Sequence, residues 1–338
     1  MAIADELARE KQSSAQESHE FQELLSLLPK EKGWRTPDLF LFQGFWCQPN
    51  EIKAIISIQK HYKADEGDII LATIPKSGTT WLKALCYAIV NRSSFRGQKN
   101  NPLLSSNPHQ LVPFLEYKLF ANDQMPNISS LPRPRILATH MPLSALMRGC
   151  VGDPPCKIVY VCRNPLDNFV SVWHYICRIR PESIGPLPLE DAFDMYCRGA
   201  VGFGPYWEHM LGYWRKSLER PDEVLFVRYE EMKEDIVSTV KRLAGFLGCP
   251  FSREEEENGE IGEIVDLCSF ERMKELEVNR MGKGAIADFE NKHLFRKAEV
   301  GDWVNHLTPC MVEKLTNLME QKLAGSGLAF SFSGRGSC

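Results

Sequence analysis

No run of about 18 uninterrupted apolar residues, the length a membrane-spanning helix needs, occurs in the 338-residue chain. The stretch from Met1 to Lys11 is charged and has no apolar core, so no secretory leader is expected. A large excess of one charge is also missing: 40 Lys and Arg stand against 44 Asp and Glu, a formal net charge of −4. That balance argues against wholesale binding to nucleic acid or to an anionic membrane, so any anion must be held by a local basic site. There is no internal repeat and no long Gly/Ser/Pro linker, which favours one large domain over two small ones. Eleven cysteines are present, an odd number without a CxxC pair. They read as small buried thiols of a reducing compartment rather than as a disulfide frame or a zinc site. The expectation is a cytosolic small-molecule enzyme.

What the chain does have is one strong local signal. Ile69 to Ile74 is short, apolar and β-branched, and apolar residues recur at helical spacing at Leu82, Leu85, Cys86, Ile89 and Val90. Between them lies Pro75-Lys-Ser-Gly-Thr-Thr-Trp81, a tight turn at a helix N-terminus. Backbone N–H groups there lack intrahelical partners, and the helix dipole favours an anion. Lys76 adds a point charge, Ser77, Thr79 and Thr80 add hydroxyls, and Gly78 permits close backbone approach. The turn reads as a phosphate cradle.

Residues 1–20 look like a mobile polar arm, 21–330 like the folded domain, and 331–338 like a frayed tail. Four short apolar runs read as strands: Ile69 to Ile74, Arg135 to Thr139, Lys157 to Cys162 and Val224 to Val227. Helical patterns separate them, which predicts an α/β fold with a central parallel sheet covered by helices on both faces. The residues just after these strands are Lys76 to Thr80, His140, Arg163 and Tyr229. In open parallel sheets the carboxyl ends of the strands form the ligand crevice, so four segments are expected to deliver polar groups to one edge. Asn164 and Pro165 are a helix N-cap and first helical residue. Phe169, Val170, Trp173, Ile176 and Cys177 form that helix's apolar stripe, which leaves Asn164, Asp167, Asn168 and Ser171 on another face and Ser171 within reach of the crevice. Asn279 to Asn291 reads as a long loop that could bring Arg296 and Lys297 onto a bound anion. Arg253 to Glu257 reads as a solvated charge run.

A kinase or NTPase is the first expectation for a phosphate cradle, yet Gly-x4-Gly-Lys-Ser/Thr is absent. The strand Lys157 to Cys162 ends in Arg163 rather than a magnesium-binding aspartate. Cation in place of carboxylate suggests that Arg and Lys meet the anion directly and that no metal is required. A nucleotide with separated phosphates, one in the cradle and one at Arg163 and Ser171, fits better than a magnesium triphosphate.

Together, Ile74-Pro-Lys-Ser-Gly-Thr-Thr-Trp81, Cys162-Arg-Asn-Pro-Leu-Asp167 and Phe295-Arg-Lys297 resemble the motifs of the cytosolic sulfotransferase family, over about Phe21 to Phe330. The resemblance implies 3′-phosphoadenosine 5′-phosphosulfate (PAPS) as donor and sulfonation of a hydroxyl. It implies that Lys76 to Trp81 hold the 5′-phosphosulfate, with Lys76 on the leaving oxygen. It further implies that Arg163, Ser171, Arg296 and Lys297 hold the 3′-phosphate, and that Tyr229 lies at the adenine. His140, in Ala138-Thr-His-Met-Pro142, matches the family's catalytic base, which takes the proton of the attacking hydroxyl. His109, His174 and His209 read as packing or acceptor-pocket residues. Two positions depart from the expected pattern: Ala138 stands where animal members usually carry a lysine, and Ala298 where the family has a glycine. Of the dimer motif's positions Val304, Thr308, Pro309 and Glu313, only two keep the pattern, so the oligomeric state stays open.

Within the family the look is of plant enzymes, and Glu116 to Asn122, Trp173 to Tyr175 and Gly202 to Trp214 resemble the hydroxyjasmonate sulfotransferases. A small hydroxylated acceptor is implied, with 12-hydroxyjasmonate the specific expectation and a flavonoid, brassinosteroid or phenol the alternatives. Phe45, Trp46, Tyr62, Phe114, Tyr117, Tyr175 and Tyr206 are candidates for an apolar acceptor pocket. Outside the class, a nucleotide kinase with a degenerate cradle and a non-catalytic nucleotide-binding module are the competing readings.

Overall fold

A computed structural model describes residues 16, 18–95, 100–121, 125–148, 156–284 and 290–332. Seven strands are present among them: β1 (Lys30–Lys32), β2 (Asp38–Phe42), β3 (Phe45–Cys47), β4 (Ile69–Thr73), β5 (Ile136–Thr139), β6 (Lys157–Cys162) and β7 (Val224–Arg228). The last four pair in parallel in the order β5-β4-β6-β7 and carry helices on both faces. They fall within a residue of the four apolar runs expected from the sequence. Each is apolar at almost every position because both faces are covered. Ile70 and Ala72 join one core cluster while Ile69 and Leu71 join the other, as the two-residue period of a strand demands.

The chain runs from β4 outward to β5, then returns to add β6 and β7 on the other side of β4. Beyond the end of β4 the connections therefore part, and this switch point is where a crevice opens in open α/β sheets. The cradle sits there.

The first three strands form a separate antiparallel sheet in the order β1-β2-β3 that the sequence did not announce. The strands are three to five residues long and show little alternation, so their pattern does not separate from a loop. Trp46 N donates to Gly204 O at 2.9 Å and Phe203 N donates to Trp46 O at 2.7 Å, which fixes the 203–204 segment against this ribbon. Of the arm expected over 1–20, residues 1–15 and 17 lie outside the described residues, and 18–27 are helical. The tail 333–338 also lies outside them.

The segment expected as one long loop, Asn279 to Asn291, starts in a helix instead: Glu277–Arg280 is helical, and Lys283 bridges Glu290. Residues 285–289 lie outside the described residues. In Arg253–Glu257, read as solvated, Glu255 departs from the expectation: it folds back to pair with Arg92 at 2.7 Å. The nine described cysteines are free thiols. No described helix is long and apolar enough to cross a membrane.

Candidate functional site

The turn after β4 is held in shape by two residues in the left-handed region, Lys76 at φ 68° and Gly78 at φ 108°. Gly78 is required twice over, by this backbone and by space: a Cβ there would come within 2.8 Å of the Tyr229 ring. Lys76 has no such freedom, and its backbone stores strain of roughly 1–2 kcal/mol. The helix that follows, Thr79–Asn91, starts at Gly78 with no side-chain cap, so its first N–H groups are open to an anion.

Ser77 is the one member of the turn that does not face the crevice. It is fully buried, and its hydroxyl accepts from Asn168 Nδ2 at 3.1 Å while Asn168 also donates to Pro75 O at 2.9 Å. Asn168 thus clamps the cradle from the helix Pro165–Ile179. The neighbouring Asp167 reaches the other way, accepting from Gly301 N at 2.7 Å and Trp303 N at 3.2 Å. Both lie on the face expected to be polar, and both are buried. One helix start, capped by Asn164 as expected, ties the cradle to the chain that follows Arg296 and Lys297.

Lys76, Gly78, Thr79, Thr80, Trp81, His140, Arg163, Ser171, Tyr229, Arg296 and Lys297 all line a single cavity of about 360 Å³. Tyr229 is its platform: Trp81 packs edge-on at 5.7 Å, and the Arg163 guanidinium lies 4.5 Å above the ring. The Tyr229 hydroxyl donates to Ala298 O at 3.2 Å. Ala298 adopts φ 56°, the backbone a glycine would take without strain.

The cations here outnumber the acids. Arg296 and Lys297 share one buried carboxylate, Asp302, at 2.5 and 2.7 Å, and His306 lies 3.3 Å from the same group. Arg163 Nη2 donates to Glu299 O at 2.6 Å, while its buried Nε has no partner among the described residues. Burial, with Arg163, Arg296 and Arg178 nearby, pulls the Lys76 ammonium down to about 7. Its Nζ rests 4.3 Å from the Tyr175 ring centroid. An anion is what this end of the cavity lacks.

His140 follows β5 and is 7% exposed. Its Nδ1 lies 2.6 Å from Thr73 O, a carbonyl that can only accept, so Nδ1 carries the proton and Nε2 is left with its lone pair. Burial holds the imidazole neutral, its pKa lowered to about 3. Behind it, Glu116 accepts from His140 N at 2.7 Å and Thr139 Oγ1 at 3.0 Å. His209, fully buried, contacts His140 O through Nε2 at 2.9 Å. It is a backbone prop, whereas His174 pairs with His306 at 3.5 Å, away from His140.

His109, expected as a packing or acceptor-pocket residue, does line the cavity, and Lys83 backs it although the sequence did not single it out. His109 Nε2 lies 3.0 Å from Thr80 Oγ1, and its Nδ1 lies 2.9 Å from Lys83 Nζ. Lys83 is fully buried and donates to Val112 O at 2.9 Å. Of the aromatics proposed for a pocket, Phe114, Tyr117 and Tyr175 line the cavity; Phe45, Trp46, Tyr62 and Tyr206 do not. Phe114 and Phe203 crowd His140 at 4.7 and 5.9 Å between ring centres. Among the described residues, no group of three or more His, Cys, Asp or Glu is placed to hold a metal ion.

A sulfotransferase domain model matches residues 66–327. Cytosolic sulfotransferase 15 of Arabidopsis thaliana is 57% identical over 94% of this chain and 88% of its own length. Cytosolic sulfotransferase 14 of the same plant is 55% identical over 98% of each. A mouse sulfotransferase crystallised with PAP superposes with a TM-score of 0.67 at 26% identity, covering 85% of this chain and 95% of the mouse one.

Proposed function

The chain belongs to the sulfotransferase family, and from that premise we propose that His140 is the base of a PAPS-dependent transfer to a small alcohol, with 12-hydroxyjasmonate taken as the acceptor from the resemblance of residues 116–122, 173–175 and 202–214. PAPS supplies the sulfonyl group when bound. The observation that carries the reading is the His140 ring: Nδ1 is committed to Thr73 O, so the free lone pair of Nε2 is the proton acceptor in a cavity rich in cations. The acceptor hydroxyl gives its proton to Nε2 as its oxygen bonds to sulfur, and the bond from sulfur to the donor's phosphate oxygen breaks. Lys76 neutralises the charge that appears on that oxygen.

The unpartnered Nε of Arg163 and the two cations sharing Asp302 fit a second phosphate, and Ser171 lines the same cavity. Tyr229 and Trp81 supply flat faces suited to a purine. Gly78, Thr79 and Thr80 meet the first phosphate, and Ser77 supports the turn from behind. The relatives are named as cytosolic enzymes, and we place this chain in the same compartment.

Replacing His140 with Ala is expected to lower turnover by about 10²–10⁴-fold while PAP binding, read by calorimetry, stays within twofold. Turnover near the wild-type rate would remove His140 from the role. Competition of 12-hydroxyjasmonate with flavonoid, steroid and phenolic alcohols for labelled PAPS tests the acceptor. Preference for another of these classes would overturn the jasmonate assignment alone.

A further inference from the structure

Two further cations, Arg35 and Lys118, line the same cavity, and the Arg35 charge acts on Glu51, Tyr117 and Tyr175. Lys118 is exposed at the rim, whereas Arg35 is half-buried in the turn between β1 and β2. Its backbone is held in place from both sides of the chain. The preceding Trp34 donates through Nε1 to Ala200 O at 2.6 Å, and the carbonyls of Gly33 and Trp34 accept from Arg180. Yet the Arg35 guanidinium makes no hydrogen bond or ion pair with any described residue.

Glu51 is the acid in this part of the wall; it feels the Arg35 charge, but its hydrogen bonds go to Gln48 and Tyr117 and none to the guanidinium. Oε2 accepts from Gln48 N at 2.7 Å, and Oε1 accepts from Gln48 Nε2 at 2.8 Å and from the Tyr117 hydroxyl at 2.5 Å. Tyr117 links this region to the reacting end, because its ring packs against His140 at 6.0 Å. A molecule with an oxygen at His140 therefore lies along Tyr117 and reaches towards Arg35. When such a molecule displaces water from the cavity, an unpaired guanidinium becomes costly unless the incoming group pairs with it. The planar fork of arginine matches a carboxylate with two parallel hydrogen bonds, and charge-assisted bonds of this kind are the strong ones.

We propose that Arg35 anchors a carboxylate of the acceptor, so that the substrates of this enzyme are hydroxy acids that bring the alcohol to His140 and the acid to Arg35. The proposal rests on the reading of His140 as the acceptor end of the cavity. It sets a rule that does not depend on the carbon skeleton: a free acid binds more tightly than its methyl ester.

The test uses three acid and methyl ester pairs: 12-hydroxyjasmonate, jasmonate, which lacks the reacting hydroxyl, and a medium-chain ω-hydroxyalkanoate. Binding to the PAP-loaded protein is read from tryptophan fluorescence, since Trp34 and Trp81 line the cavity. The expected result is that at least one acid binds the wild type about 10-fold or more tighter than its ester. Arg35→Gln should bring that acid down to the level of the ester, leave the ester unchanged, and preserve PAP affinity; Arg35→Lys should recover part of the loss. Equal binding of acid and ester in the wild type, no binding by any acid, or an equal loss of both in Arg35→Gln overturns the proposal. If Arg35→Gln does not fold, the wild-type ratio and Arg35→Lys still decide. Sulfonation of the hydroxylated esters is a separate readout. Turnover without acid preference sinks the Arg35 anchor alone, and acid preference in a protein whose turnover ignores His140 sinks the assignment of the base.

Discussion

The two ends of the parallel sheet each bury an arginine and treat its charge in opposite ways. At the amino end Arg135 meets the fully buried Asp68 with two hydrogen bonds of 2.6 Å, and Tyr62 donates to the same carboxylate at 3.2 Å. At the carboxyl end Arg163 is equally shielded but has a single carbonyl, a tyrosine face and an idle Nε. A buried charge whose partners come from the chain holds the fold together. One whose partner is missing marks the place where a ligand must complete the set.

Swapping the damage between the ends separates the two roles. Arg135→Met leaves Asp68 buried without a counter-charge, and such losses cost about 3–5 kcal/mol. We expect that fall in urea-unfolding stability, with PAP affinity per folded molecule unchanged. Arg163→Met should do the reverse: PAP binds about 10–100-fold more weakly because charge-assisted bonds are lost, while the unfolding midpoint stays level or rises. A large stability loss in Arg163→Met would mean that both arginines are structural, and the contrast between the ends would collapse.

The cradle was legible in the sequence because it is local: a strand, a turn with glycine and lysine, and a helix start all lie within Ile69 to Val90. His140, Arg163 and Tyr229 were legible because the strand preceding each could be read, and a parallel sheet brings strand ends together. Residues that depend on distant partners were not. Asp167 and Asn168 look like the polar face of an amphipathic helix, but their partners are Gly301 and Trp303 on one side and Pro75 and Ser77 on the other, 91 to 136 positions away. Lys83 carries no motif signal, and its burial depends on His109 and Val112. Arg35 lies in a ribbon too short to produce a period. Ser77 was assigned to the anion by its place in the motif, yet the turn's left-handed residues point it inward.

A gentler contrast comes from pH. With its pKa near 7, Lys76 is mostly neutral at pH 8, and a bound phosphate must raise that value by stabilising the ammonium. The sign follows from linkage: binding takes up a proton, so affinity is complete below pH 7 and falls as pH rises through 7 towards the higher bound-state value. The slope is at most tenfold per pH unit. Calorimetry of PAP at pH 8 in two buffers of different ionisation enthalpy should show net proton uptake, absent in Lys76→Met. An enthalpy independent of buffer would show that Lys76 is already charged and that the cavity's cations are better screened than their crowding suggests.

The smallest expected effect concerns how the anion end directs a neutral group. Burial pushes the pKa of His109 well down, and that of its neighbour Lys83 with it, so the imidazole is unprotonated and its ring has one N–H to place. If Lys83, which donates to Val112 O, also donates to Nδ1, the ring proton sits on Nε2, facing Thr80 Oγ1 at 3.0 Å. Thr80 then accepts from His109, and its own hydrogen is left for the cavity rather than turned back into the protein. His109→Phe should keep the ring stack on Phe114 but release Thr80, lowering kcat about 3- to 10-fold, the worth of one neutral hydrogen bond of about 1 kcal/mol. Glutamine reproduces the Nε2 donor, so His109→Gln should recover most of the rate. If both variants lose activity equally, with matching losses in thermal stability, His109 serves packing. In that case the hydroxyl of Thr80 is oriented by the bound anion and not by the protein.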